Sequence, residues 1–446
     1  MSTLNFICKL CWFSCLIISV FSCTTPGPSG LFGKKSPHES YSDKITQAGL
    51  KETAIGRSWF SAAEQSLAKA LSIPIPYSEA GYFAADKPEA VGVRFKAVRG
   101  QKLKIELSKK PATGFLIYMD LWEAPAENER PKLVESADTA KTSLELEVKR
   151  EGFYIVRLQP ELLASGEYNL SISAGPSLAF PVPARSNPKI QSFWGAARDA
   201  GVRKHEGIDI FAPFRTPLVA AANGTVNRVE ENNLGGKVIF FRPYDKDYTL
   251  YYAHLDEQLV SEGQQLKTGD TLGLMGKTGN AASTSPHLHF GIYTFGGAVD
   301  PLPFVNPVEK KPAKITAPLS NVGKWVRSDR AVKVYGEPAA TASDYINIDP
   351  SSLLRVQAAT AGWYKVMLPD GTAGYITSNS VSSLNNPLRK IDFPAPQSLL
   401  DAPNKGAARK LTVEKGETVN VVATFKDFYY VSARDEEGWI PKAAVK

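Results

Sequence analysis

Apolar residues that recur at every second position, broken by clusters of proline and glycine, run through most of this chain and restrict it to a largely β fold. Between Ile73 and Ser173 the pattern occupies Val91, Val93 and Phe95, then Leu103, Ile105 and Leu107, then Leu144, Leu146 and Val148, then Tyr168, Leu170 and Ile172. Successive side chains of a strand leave on opposite faces, so each run has one apolar and one polar face. Several such runs at short spacing predict an antiparallel sandwich of about 100 residues. One stretch obeys a different period. Phe60, Ala63, Leu67 and Leu71 fall at helical spacing within Ser58 to Leu71, which predicts a helix.

The chain has 446 residues, too many for one ordinary domain, and its 43% hydrophobic content is too high for a disordered one. Three proline-bearing stretches, Pro176 to Pro188, Pro307 to Pro318 and Pro387 to Pro396, separate the runs with strand periodicity. The predicted organisation is a signal peptide over 1–22, a tether and helical segment over 23–72, a β-sandwich over 73–175 and a linker over 176–192. A central domain over 193–306, a linker over 307–320 and two small barrels over 321–386 and 397–446 complete it. The barrels read as one unit written twice. Trp363-Tyr364-Lys365-Val366 followed by Gly374-Tyr375-Ile376 parallels Phe428-Tyr429-Tyr430-Val431 followed by Gly438-Trp439-Ile440. The predicted class is therefore mainly β and multidomain, with a short helical segment near the N-terminus.

All four cysteines, Cys8, Cys11, Cys15 and Cys23, lie in the first 23 residues, so the folded part has no disulfide framework and no thiolate metal site. Lys9 followed by the apolar run Leu10 to Phe21 reads as an export signal, too short for a membrane span of about 20 residues. Val20-Phe21-Ser22-Cys23 resembles a bacterial lipobox, which implies a lipid on Cys23, with the polar stretch Thr24 to Gly30 as tether. The expected location is the cell envelope, anchored to the membrane. The formal charge of +7 is spread thinly: residues 193–307 carry 10 Lys+Arg against 12 Asp+Glu, and residues 308–446 carry 19 against 14. That diffuse excess, in an exported protein, argues against nucleic acid as a partner.

Four of the five histidines fall within one segment. In His205-Glu206-Gly207-Ile208-Asp209-Ile210, extended geometry puts His205, Gly207 and Asp209 on one face and Glu206, Ile208 and Ile210 on the other, so a metal can sit between His205 and Asp209 with Gly207 leaving room beneath. A helical reading like that of the zinc motif His-Glu-x-x-His fails, because the second His is missing, Gly207 interrupts and the isoleucines favour a strand. In Pro286-His287-Leu288-His289-Phe290 both imidazoles project from one face, and in Tyr251-Tyr252-Ala253-His254 the same alternation pairs His254 with Tyr252. Imidazole and carboxylate without thiolate describe a hydrolytic zinc site, in which three protein ligands leave a fourth position for water. The two remaining histidines can then serve as general base and as donor to an oxyanion.

The set His-x-Gly-x-Asp, a Tyr-x-His strand and His-x-His is similar to that of the LytM and lysostaphin type of zinc peptidase, the M23 family, across about Phe193 to Asn306. The resemblance implies one Zn²⁺ held by His205, Asp209 and His289, with His254 and His287 as the catalytic pair, and peptide cross-links of bacterial peptidoglycan as substrate. Arg198 stands before the first His, where the family often carries an arginine that would bear on substrate contacts. The C-terminal repeat resembles bacterial SH3-like domains, which in many cell-wall enzymes bind peptidoglycan, and the close of the sandwich, Gly166 to Leu170, resembles domains appended to secreted bacterial peptidases. Two other readings stand beside hydrolysis of peptidoglycan: a catalytically silent scaffold that activates an amidase, and a peptidase acting on a Gly-rich protein.

Overall fold

Helix starts in this chain are set by capping side chains. In the helix Pro37–Gln47, Ser36 accepts from the Glu39 backbone N–H while the Glu39 side chain accepts from the Ser36 N–H, and proline occupies the first turn. Thr53 caps the next helix, Ala54–Ala68, by accepting from the Gly56 N–H. That helix begins ahead of the expected Ser58, because a capping hydroxyl rather than the first apolar residue decides where the turn closes. The computed structural model describes residues 35–124, 130–139, 142–198 and 201–444; the export signal and Cys23 lie outside the described residues.

The alternating runs build two sheets around one core. Leu71–Ser72, Val91–Ala97, Gly152–Pro160, Ile117–Ala124 and Lys132–Ser136 lie in that order in the first, and Tyr77–Phe83, Gly166–Pro176, Gln101–Lys110 and Ser143–Glu147 lie side by side in the second. Val93, Phe95, Leu121 and Val156 of one sheet meet Leu103, Ile105, Tyr168 and Leu170 of the other. The helices cover the strand Gly152–Pro160: His38 stacks on Trp59 with centroids 4.8 Å apart, its Nε2–H donates to Gln159 Oε1 at 2.6 Å, and the Trp59 indole N–H donates to the Pro160 carbonyl at 2.9 Å.

The second sheet continues beyond that core. Ala80 and Gly81 pair with Ala359 and Ala358 of the strand Leu353–Thr360, so segments far apart in sequence share one sheet. Glu79 is fully buried at this junction and accepts from the Tyr77 hydroxyl at 2.7 Å and the Tyr168 hydroxyl at 2.9 Å, while Lys365 Nζ lies 4.0 Å away. An ion pair between Arg355 and Glu89 closes the same junction. The repeat seen in the sequence corresponds to two antiparallel meanders, Leu353–Thr360, Trp363–Met367 and Ala373–Thr377, then Thr418–Phe425, Phe428–Ala433 and Glu436–Pro441. Tyr364, Tyr375 and Trp439 are buried, so these repeat aromatics fill cores, whereas Trp363, Tyr429 and Tyr430 stay partly exposed.

The central segment forms its own antiparallel sheet in the order Lys189–Ser192, Ile208–Phe211, His287–Thr294, Tyr248–Gln258, Gly236–Pro243, Gly224–Asn232 and Gln265–Leu266. One face packs Ile208, Ile210, Leu288, Phe290 and Ile292 into a core. The histidines occupy the other.

Candidate metal centre

Cross-strand register assembles the centre. Ile208–Phe211 and His287–Thr294 run antiparallel with Asp209 opposite His289, and Ala253 lies opposite His289 on its other side. Alternation therefore sends Asp209, His287 and His289 to the open face. His205 precedes the strand and is held in line by its N–H donating to the Ala196 carbonyl at 2.8 Å and by its carbonyl accepting from the Gly195 N–H at 2.9 Å. Between them Gly207 is required: a Cβ there would stand 2.6 Å from Cε1 of His289 and 2.7 Å from the Phe290 carbonyl oxygen.

His254 reaches the same face by a different route. Tyr252 does not accompany it, contrary to the alternation expected from sequence. Tyr252 is fully buried, accepts the Ala221 N–H at 3.1 Å and donates to the Val219 carbonyl at 3.2 Å, while Tyr251 and Ala253 face the groove. Alternation alone would bury His254 with Tyr252. His254 instead adopts φ +65°, a left-handed conformation uncommon outside glycine, where the pairing register of the strand shifts, and this turns its ring back over the groove.

The three proposed ligand atoms form a tight tripod. His205 Nε2, His289 Nδ1 and Asp209 Oδ1 are separated pairwise by 3.0 Å. Ligand atoms about 2.0 Å from a tetrahedral zinc lie about 3.3 Å apart, so the tripod fits the ion to within a few tenths of an ångström. Outer partners aim the rings. His205 Nδ1–H donates to the Phe193 carbonyl at 3.0 Å, His254 Nδ1–H to the Thr278 carbonyl at 2.9 Å and His287 Nδ1–H to the Ser285 carbonyl at 2.9 Å, which leaves Nε2 as an acceptor wherever the ring is neutral. The His254 ring centroid lies 5.0 Å from that of His287 and 5.9 Å from that of His289. All five expected residues thus converge on one site.

Electrostatics act on Asp209, His254 and His289. Burial alone would raise the Asp209 carboxyl, but hydrogen bonds with His205 and His289 outweigh it and hold the group well below the usual carboxylate range. Burial, reinforced by His287 and His289, lowers His254 to about 4, and burial lowers His289 as well. Arg198 turns out to act on the centre itself: its Nη2 donates to Asp209 Oδ2 at 2.5 Å and to Ser192 Oγ at 2.8 Å. The groove around the centre has a volume of about 950 Å³, and every residue lining it comes from 191–293. Glu206 does not join the isoleucines in the core, because the chain enters the strand only at Ile208; it is exposed on the groove wall. Burial and then the Glu206 carboxylate push the Tyr293 hydroxyl up to about 12.

Residues 203–301 match the sequence model of Peptidase family M23. This segment is an M23 peptidase domain. An L-Ala–D-Glu endopeptidase of Bacillus subtilis is 35% identical over 144 residues, 30% of this chain and 44% of that protein. The peptidoglycan DD-endopeptidase ShyC of Vibrio cholerae is 34% identical over 117 residues, 26% of this chain and 24% of that protein. The catalytic domain of lysostaphin from Staphylococcus simulans is 31% identical, with 28% of this chain and 97% of that one covered and a TM-score of 0.25. The chain spans less than half the length of these two curated relatives. Peptidases of the M23 family are zinc metallopeptidases, and the donor set of the M23 domain suits that ion. Local sequence carried no signal for the parts played by Ser192, Tyr251 or Thr278, which meet the site only through register and loop packing.

Proposed function

We propose that the protein is a zinc-dependent endopeptidase that cuts peptide cross-links of bacterial peptidoglycan. The observation that carries this reading is the 3.0 Å tripod of His205, Asp209 and His289 with two further imidazoles over the same groove. One Zn²⁺ per chain, held by that tripod, would polarise the scissile carbonyl and activate water for attack on it. His254, neutral at pH 7 and with Nε2 toward the groove, takes the proton from the attacking water and returns it to the amine nitrogen as the C–N bond breaks. His287, with its Nδ1–H fixed by the Ser285 carbonyl and its ring stacked on Phe211 at 4.8 Å, donates to the oxyanion from Nε2 in the imidazolium form. The open groove accommodates an extended peptide across the sheet.

The same reading takes the protein as exported and anchored through a lipid on Cys23, with the two C-terminal meanders as SH3-like domains and the N-terminal pair of sheets as a sandwich domain. Purified protein should hold about one equivalent of zinc and release soluble fragments from murein sacculi. His289→Ala should lose both metal and activity, and His254→Ala should keep the metal and lose turnover. Zinc uptake without release of fragments would favour the amidase-activating scaffold, and an empty His254→Ala protein would overturn the division of roles. Loss of palmitate labelling in Cys23→Ala tests the anchor.

A further inference from the structure

The groove wall beside the tripod carries an unpaired carboxylate, Glu206, together with the rings of Tyr251 and Tyr293. Along His287–Thr294 alternation puts residues 289, 291 and 293 on one face, and His289 and Tyr293 line the groove with the buried Gly291 between them. Tyr251 stands opposite Gly291 across the strands, and Tyr293 follows it, their rings edge to face with centroids 5.8 Å apart. A Cβ at Gly291 would lie 2.9 Å from Cε2 of Tyr293 and 3.5 Å from Cβ of Tyr251, so glycine is what lets the Tyr293 ring lie down against the strand beside Tyr251. Glu206 borders the same place. Its backbone oxygen is 3.4 Å from that same Cβ position, its side chain is exposed on the groove wall, and it makes no hydrogen bond or ion pair among the described residues. The neighbouring carboxylate, Asp209, is by contrast already satisfied by Arg198 and the two imidazoles.

We infer that Glu206, with the rings of Tyr251 and Tyr293, is a specificity-determining subsite that reads an ammonium group on the substrate residue one removed from the scissile bond. A free carboxylate bordered by two phenol rings is the chemistry that selects a primary amine over a neutral or anionic group. The register gives the position: Gly291 is two residues from His289, about 7 Å along the strand, two residue steps of an extended peptide from the centre. A cross-link whose diamino residue keeps a free amine satisfies the subsite, whereas a bridge of glycines leaves the carboxylate without a partner. This deepens the proposed peptidase reading and rests on it for the place of the scissile bond.

The test uses zinc-loaded full-length protein and two synthetic cross-linked peptides, identical except that the amine of the diamino residue is free in one and N-acetylated in the other. Affinities measured by titration calorimetry should favour the free amine about tenfold, a preference that 0.5 M salt reduces. Glu206→Gln should bind both peptides alike with zinc content and melting temperature unchanged, and Glu206→Lys should reverse the order. In turnover the preference should appear in KM rather than kcat. Equal wild-type affinities, no measurable binding of either peptide, or a preference that survives in Glu206→Gln would overturn the subsite. Binding with the expected preference but no cleavage of either peptide would uphold the subsite and sink the hydrolase reading.

Discussion

Gly207→Ala should empty the metal centre while leaving the sheet folded. The new methyl carbon would stand 2.6 Å from Cε1 and 2.7 Å from Nε2 of His289, and 2.7 Å from the Phe290 carbonyl oxygen. That oxygen belongs to a backbone paired on both sides, with Ile208 and with Tyr252, and cannot withdraw. Ordinary contact begins at 3.4 Å, so the imidazole must retreat by about 0.8 Å. A metal ligand tolerates displacement of about 0.2 Å. Overpacking of this kind costs about 1–3 kcal/mol in fold stability, yet the loss in metal affinity should exceed the ~10–100-fold that follows disturbance of an outer partner. Chelator competition would measure zinc affinity and calorimetric melting of the metal-free protein would measure stability. Gly296→Ala, whose nearest neighbour is 3.8 Å away, is the control and should keep wild-type zinc binding. Wild-type zinc affinity in Gly207→Ala would refute the assignment of His289 as a ligand pressed against that glycine.

Arg198→Ala removes the donor to Asp209 Oδ2 and should weaken zinc by ~10–100-fold without abolishing binding, as read by the same competition assay. Glu79→Leu strands the buried Lys365 ammonium and two tyrosine hydroxyls, and should cost about 3–5 kcal/mol in urea unfolding, with faster hydrogen exchange in both 77–83 and 353–360. Lys365→Met should cost less, because Glu79 keeps both hydroxyl partners. Burial, with Arg157 nearby, lowers His38 to about 4, so the unfolded chain takes up the proton first as pH falls. The stability due to neutral His38 is therefore present above pH ~6.5 and lost toward pH 4, up to about 3 kcal/mol. Urea midpoints at pH 7 and 5 should converge in His38→Asn; an unchanged pH dependence would count against it.

Local periodicity made much of this protein legible. A strand exposes alternate residues, so the spacing in His287-Leu288-His289 and in Gly207-Ile208-Asp209 was enough to separate site from core. The same rule misassigned Tyr252, because a single left-handed residue at His254 reverses the alternation and nothing in Tyr252-Ala253-His254 announces it. It misplaced Glu206 because the strand begins two residues later. Ser36, Pro37 and Glu39 carry the capping signal of Pro37–Gln47, a helix that apolar periodicity does not mark.

The order of residue types along the chain determined the β class, the repeated C-terminal meander and the identity of the five groups at the centre, since each depends only on neighbours a few positions apart. The tertiary structure alone decided that Arg198 holds Asp209, that Tyr251 rather than Tyr252 borders the groove, and that Tyr77–Phe83 joins Leu353–Thr360 in one sheet. Those pairings depend on register and on contacts between distant segments, for which a chain carries complementary surfaces but no local period.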